Sequence, residues 1–184
     1  QKNFLIKILN EFQSGDKSKS FKELENYLKD NPSDDLARFN FAIMCSETNK
    51  IDLAIENYKQ VIKKNKSHWE SRFNLYIIYL DKQLYTEAHQ YVDEVLEIKN
   101  NFQPALRDKA LILNYLQKSD EAFKYIVSAL KQNQEDYIAL NTLGLILISL
   151  KRTNEAKNTF IRAIEVNPKY FSSYNNLGHC YTLL

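Results

Sequence analysis

The sequence is poor in the two residues that most often interrupt regular structure. Its 184 residues include only three glycines and three prolines. Sheet proteins with many tight turns usually contain more of both, because glycine and proline supply the special backbone angles of those turns. The scarcity therefore favours a helical fold.

Cysteine is also rare, and Cys45 and Cys180 are the only two thiols. They lie far apart and outside any C-x-x-C pattern, so they predict no disulfide framework and favour a reducing compartment. No secretory signal is visible, and no apolar run approaches the roughly 20 residues that a membrane span requires. The expected location is the cytoplasm.

The chain also lacks a large excess of charge of either sign. The 25 basic and 23 acidic side chains leave a net charge of +2. Nucleic acids and anionic membranes attract strongly basic surfaces, so the composition gives no electrostatic case for either partner.

The motifs of catalysis and metal binding are absent. The three histidines, His68, His89 and His179, have no metal-ligand spacing, and no glycine-rich phosphate loop or nucleophile elbow occurs. His179 and Cys180 are adjacent, but neighbouring residues on a helix point about 100° apart, which disfavours a nucleophile pair. We expect no enzyme activity, no cofactor and no metal, with His68 and His89 solvated and Cys45 buried in the core.

What the sequence does contain is a repeat of 34 residues. Small residues recur at this spacing in Ser20, Ala54, Ala88, Ala122 and Ala156, and large apolar residues recur in Leu24, Tyr58, Val92, Ile126 and Phe160. A third series runs through Ile8, Ala42, Tyr76, Ala110, Gly144 and Gly178. The units are 1–34, 35–68, 69–102, 103–136 and 137–170, followed by a half unit at 171–184.

Each unit contains two stretches with helical periodicity, joined by a short polar turn. Residues 137–150 are apolar over much of a helix surface, and 153–166 carry one broad apolar stripe. A short connection makes the two helices antiparallel. Gly15 and Asn49, which tolerate the left-handed conformation, are expected to end first helices. Small residues near the helix starts, including Ala37, Ser71, Ala105, Ala139 and Ser173, allow close approach of the helix axes.

This spacing resembles the tetratricopeptide repeat family, whose pattern is W-x2-L-G-x2-Y, then A-x3-F, then P. The closest matches are Leu140, Leu143, Gly144, Leu147, Ala156, Phe160 and Pro168, and then Tyr174, Leu177, Gly178 and Tyr181. The first four units are more degenerate. The resemblance implies an all-α fold, a right-handed α-solenoid of antiparallel helical hairpins that forms one superhelical array over residues 1–184.

The half unit at 171–184 lacks a second helix and ends in apolar residues. Repeat arrays need a polar outer face for solubility. We therefore expect the chain to be a fragment that continues beyond Leu184, or the helix at 171–184 to associate with another copy.

The resemblance also implies a concave groove lined by the first helices, where partners of the family bind. Asn40, Asn74 and Asn176 share the sixth position of their units, where an amide can pair with both polar groups of a peptide backbone. This arrangement is similar to the asparagine ladder in the repeat arrays of O-GlcNAc transferases. The ladder is broken by Asp108 and Thr142, and the alternative is that asparagine is simply common in this chain.

Neighbouring positions predict that the two halves of the groove differ in polarity. Its N-terminal half is apolar, with Phe39, Ile43, Phe73 and Ile77, and its C-terminal half is polar, with Arg107, Asn141 and Asn175. The alternative is that some of these side chains pack between adjacent helices. The cationic positions by which chaperone-binding arrays hold an acidic chain terminus are occupied here by apolar residues, such as Phe39.

The leading functional hypothesis is a scaffold that holds a peptide or a partner subunit in this groove. A second hypothesis makes the chain the substrate-recruiting region of a larger enzyme, because repeats of this kind are similar to those of some glycosyltransferases and sulfotransferases. A third is self-assembly through the final helix.

Overall fold

A computed structural model describes residues 2–184, apart from the side chain of Lys2. Within this range the chain forms eleven α-helices and no strand. The helices are α1 (Lys2–Ser14), α2 (Lys17–Asp30), α3 (Asp35–Glu47), α4 (Ile51–Lys64), α5 (Trp69–Asp81), α6 (Tyr85–Ile98), α7 (Gln103–Tyr115), α8 (Ser119–Gln132), α9 (Tyr137–Ser149), α10 (Thr153–Val166) and α11 (Phe171–Thr182). From α2 onward, the starts of alternate helices recur every 34 residues. The prediction of an all-α helical-repeat fold is confirmed.

The chain divides into two compact units, the first ending at Ile78 and the second beginning at Tyr79 within α5. In the first unit α1 packs on α2 and α3 packs on α4. Leu24, Ala42, Cys45 and Tyr58 are fully or almost fully buried there. Burial raises the pKa of the Cys45 thiol to about 12, so this cysteine is a protonated core residue.

The second unit contains two apolar clusters. One gathers Ala110, Leu113, Ala122, Ile126, Ala139 and Ile146 from α7, α8 and α9. The other gathers Leu147, Ala156, Phe160 and Cys180 from α9, α10 and α11. The helices α7 and α8 form one hairpin and α9 and α10 another, and α11 packs on both α9 and α10. The second unit is therefore built from hairpins that share apolar clusters.

The small residues of the repeat lie where the sequence predicts. In both units they are fully buried at Ser20, Ala37, Ala54, Ser71, Ala88, Ala105, Ala122, Ala139, Ala156 and Ser173. Side chains of this size let neighbouring helix axes approach closely while larger residues fill the remaining space.

The turns within the hairpins repeat with the same period. Gly15, Asn49, Gln83, Gln117 and Lys151 all have positive φ angles. In each turn the next residue donates its N–H to a carbonyl five residues back, as from Lys118 to Leu113 at 2.9 Å and from Arg152 to Leu147 at 2.8 Å. This is the bond of a Schellman helix end. The left-handed ends predicted at Gly15 and Asn49 are confirmed.

The two histidines expected in solvent are partly buried, and that expectation is wrong. Nδ1 of His68 accepts the N–H of Ser71 at 3.2 Å, and its ring centroid lies 4.8 Å from that of Phe39. His68 thus caps the start of α5. Nδ1 of His89 lies 3.3 Å from a carboxylate oxygen of Asp93, one turn further along α6.

Across residues 2–184, no helix is both long and apolar enough to cross a membrane.

Candidate functional site

A cavity of about 320 Å³ opens on the side of α7, α9 and α11 in the second unit. Its walls are formed by Leu111, Tyr115, Ile138, Asn141, Thr142, Leu145, Tyr170, Ser172 and Asn176. Apart from Tyr170, which directly precedes α11, these residues occupy the second, fifth, sixth, ninth and thirteenth positions of first helices. We call this space the first-helix cavity.

A hydrogen-bonded cluster holds the polar wall of the first-helix cavity in place. Asn141 is only 5% exposed, and its Oδ1 accepts the hydroxyl of Ser173 at 3.2 Å and an N–H of Asn176 at 2.9 Å. Ser173 is itself fully buried. A side-chain amide has two N–H donors and two acceptor lone pairs, so one N–H and the carbonyl oxygen of Asn176 remain available. Asn141 orients Asn176.

Tyrosines form the aromatic wall. Tyr115 is 47% exposed, and its ring stacks on Tyr85 with centroids 4.6 Å apart and an interplanar angle of 21°. Tyr170 meets Tyr137 edge to face at 5.0 Å. Burial raises the pKa of Tyr115, and the neighbouring hydroxyls of Tyr85 and Tyr170 raise it further. The Tyr115 hydroxyl is therefore neutral at physiological pH and can donate a hydrogen bond.

The cation predicted for the C-terminal half of the groove is already paired. Nε of Arg107 lies 2.8 Å from Oδ1 of Asp108, and Nη1 lies 3.5 Å from Oδ2 of Asp136. Gln103 also donates to Oδ2 of Asp136. Oδ1 of Asp136 accepts the N–H groups of Ile138 and Ala139 and so caps the start of α9. Arg107 therefore links the starts of α7 and α9 while part of it stays accessible.

In the first unit the predicted site residues make contacts of their own. Asn40 donates to the carbonyl of Leu36 at 2.8 Å, and Asn74 donates to the hydroxyl of Tyr58 at 3.1 Å. The ring of Phe39 lies 5.9 Å from that of Tyr58.

Phe73 lies 4.9 Å from the ring of Tyr76, and Ile43 and Ile77 are half-buried. Packing thus accounts for part of the apolar surface in the first unit, as one of the two sequence interpretations anticipated. Asn40 and Asn74 each use one side-chain N–H in these contacts and keep a second.

The first-helix cavity includes two of the predicted site residues, Asn141 and Asn176, while Asn175 is exposed elsewhere on α11. Sequence reasoning did not assign Tyr115, Ile138, Tyr170 or Ser172 to a site. The repeat positions of Tyr115, Ile138 and Ser172 could have pointed to them, because the second and thirteenth residues of a first helix lie on the same side as the fifth and ninth.

The helical hairpins and their shared clusters define a helical-repeat protein. The family model described as "Psidin, N-terminal TPR repeats region" matches residues 75–183, more than half of the chain, and the model described as "Tetratricopeptide repeat" matches residues 46–101. The chain belongs to the tetratricopeptide repeat family and is a protein-interaction scaffold in the general sense of that family. No match was found among curated protein sequences.

Solved structures of similar fold are numerous. A tetratricopeptide repeat protein from Parabacteroides merdae has a TM-score of 0.88 at 16% identity, covering 99% of this chain and 72% of its own. MamA from Desulfovibrio magneticus has a TM-score of 0.82 at 13% identity, covering 92% and 96%. YrrB, described as having an unusual peptide-binding site, has a TM-score of 0.70 at 21% identity, covering 86% and 82%. At these identities the similarity concerns the fold alone.

Proposed function

We propose that the chain binds an extended peptide segment of a partner protein in the first-helix cavity of its second unit. The observation that carries this proposal is the cavity itself, which combines apolar walls with an oriented amide. Leu111, Ile138 and Leu145 offer surface for one or two apolar side chains, and Asn176 offers a donor and an acceptor for the peptide backbone. Binding pockets of proteins typically combine these two features.

The amide of Asn176 is suited to this role because Asn141 fixes its orientation before a peptide arrives. A side chain that is already ordered loses less conformational entropy on binding. Its remaining N–H can donate to a peptide carbonyl, while its carbonyl oxygen accepts from a peptide N–H. These hydrogen bonds would recognise the peptide backbone, and the apolar walls would select the peptide side chain.

The test is a selection of random peptides displayed on phage against the full chain, followed by calorimetry with the recovered peptide. Ser172→Arg places a charge at the cavity wall from an exposed position. We expect it to weaken binding by about tenfold or more, because the charge loses water without gaining a partner when the peptide binds.

Asn158→Arg is the matched control. Asn158 is exposed on α10 and lines a different cavity, formed with residues of α8 and α9. It receives the same charge in the same unit, so we expect peptide affinity to stay within about twofold of the wild-type value. Equal loss in both variants, or no recovered peptide at all, would rule out the first-helix cavity as the peptide site.

The same cavity would serve the hypothesis of a larger enzyme, in which a bound peptide is delivered to another domain. Absence of catalysis in this chain remains our prediction, since tetratricopeptide repeats generally act as non-enzymatic scaffolds. We also keep the prediction that nucleic acid is not a partner.

Self-association is a second candidate, favoured by exposed apolar residues on α11 and directly after it. Phe171 is 75% exposed, and Tyr181, Leu183 and Leu184 are each at least half exposed. Exposed apolar residues close together on a surface commonly mark a contact site. We expect the mass measured by light scattering to rise with concentration, and Tyr181→Lys to return the chain to a monomer. A constant monomer mass across concentrations would exclude this candidate.

A further inference from the structure

The walls of the first-helix cavity carry no charged side chain. Its only titratable groups are the phenols of Tyr115 and Tyr170. Arg107, the one cation among the predicted site residues, is engaged by Asp108 and Asp136. A charged ligand side chain would lose its hydration here without meeting an opposite charge, which is costly. The cavity therefore suits an uncharged segment.

The polar groups of the first-helix cavity can bind a peptide through its carbonyl groups. Oδ1 of Asn141 already receives two hydrogen bonds. The hydroxyls of Tyr115 and Ser172 and the free N–H of Asn176 can donate, while these hydroxyls and the carbonyl oxygen of Asn176 can also accept. Proline has a carbonyl but no N–H, so it can use the donors and leaves the carbonyl oxygen of Asn176 to solvent.

The aromatic wall of the first-helix cavity favours proline. The ring of Tyr115 stacks on the ring of Tyr85, and the ring of Tyr170 contacts that of Tyr137 edge to face. These contacts hold both rings of the wall in fixed positions. Proline-rich segments in the polyproline II conformation dock into aromatic-lined grooves, and they lose little entropy because that conformation exists before binding.

We propose that the first-helix cavity recognises an uncharged, proline-rich segment in the polyproline II conformation, held against Tyr115 and Tyr170 and hydrogen-bonded through its carbonyls to Asn176. This inference rests on the proposed peptide-binding function and names the class of peptide.

The probe is a capped decaproline peptide, titrated by calorimetry into the full chain, with a capped glycine–serine peptide of the same length as reference. We expect decaproline to bind and the reference to show no heat. Tyr115→Ala should weaken decaproline about three- to tenfold, the effect of losing one aromatic contact. Tyr115→Phe, which keeps the ring and loses the hydroxyl, should fall between the wild type and Tyr115→Ala.

Tyr174→Ala is the matched control, because Tyr174 is 44% exposed in the same unit and does not line the cavity. It should bind decaproline as the wild type does, and far-UV circular dichroism should show all variants folded. An equal effect of Tyr174→Ala and Tyr115→Ala would overturn the inference.

Failure of this inference can be told from failure of the proposed function. If decaproline does not bind, while a peptide recovered by phage selection binds and is weakened by Ser172→Arg, the proline preference is wrong and the peptide site stands. If neither peptide binds, both proposals fail. Competition between decaproline and the selected peptide for one site would support both.

Discussion

Gly144→Ala is expected to lower the free energy of unfolding by about 1–3 kcal/mol, because it overpacks a filled core. A Cβ at this position would overlap the ring of Phe160, lying against Cε1 and 2.5 Å from Cζ. Phe160 is fully buried and packs with Leu147, Ala156 and Cys180, so its ring can move only by displacing these neighbours. The clash outweighs the gain of roughly 1 kcal/mol that alanine brings to a helix interior.

Gly178→Ala is the control within the same series of repeat positions, 34 residues further on. No heavy atom lies within 4 Å of a Cβ built there, so only the helix propensity should change. We expect a gain of roughly 0.5–1 kcal/mol. Urea unfolding followed by far-UV circular dichroism measures both variants, and a higher midpoint for Gly144→Ala than for the wild type would contradict the packing described for Phe160.

Asp93→Ala is the second substitution with a large expected effect on stability, because it leaves the buried Lys109 without its carboxylate partner. Lys109 is only 8% exposed, and its ammonium group lies 2.7 Å from Asp93 and donates to the hydroxyl of Tyr125 at 2.8 Å. Removing one partner of a buried pair is costly, but the side chain of Asp93 is 35% exposed, so solvent reduces the loss. We expect about 1–3 kcal/mol.

Lys109→Met in the Asp93→Ala background should restore most of this stability, because it removes the stranded charge and keeps a similar volume. His89 loses its contact with Asp93 in both variants, so that contribution cancels in the comparison. If the double variant is no more stable than Asp93→Ala, the loss does not come from the charge of Lys109.

The pH dependence of stability provides a second measurement on this pair. Burial acts to lower the pKa of Lys109, but hydrogen bonds to Asp93 and Tyr125 outweigh it and leave the pKa above its ordinary value of 10.5. In the wild type the pair therefore stabilises the fold below pH 10.5 and ceases to do so as the pH rises through the folded pKa. In Asp93→Ala burial dominates, so the deficit should shrink as the pH rises from neutral toward 10.5.

The architecture could be predicted from the sequence because the core repeats in phase. Ala54, Ala88, Ala122 and Ala156 all share one environment, in which only a small side chain fits between two helix axes. A position that admits only a small side chain is recognisable in the sequence of every repeat. The number and length of the helices and the burial of Cys45 could be predicted from this periodicity.

Local backbone chemistry was harder to predict. Gln83, Gln117 and Lys151 adopt the left-handed conformation that Gly15 and Asn49 suggest for this position, although these residue types rarely adopt it. The sequence predicts a solvated His68 because it does not show that the ring nitrogen of this residue caps α5.

The candidate site could be predicted only in outline. Asn141 and Asn176 lie at expected positions, but the sequence does not show that Ser173 and Asn176 on α11 both donate to Oδ1 of Asn141 on α9. The tyrosine wall depends on contacts between residues 30 or more positions apart, such as Tyr85 with Tyr115. Each of these contacts joins one particular pair of successive repeats, so it leaves no repeated signal in the sequence.

We propose that a peptide occupies the first-helix cavity of the second unit, and chemical-shift mapping can locate it residue by residue. Backbone amide spectra of the isotope-labelled full chain are recorded with and without the peptide recovered by phage selection. We expect the largest shifts at Leu111, Tyr115, Ser172 and Asn176 on α7 and α11. Shifts concentrated instead on α8 and α10, around Asn158, would contradict it.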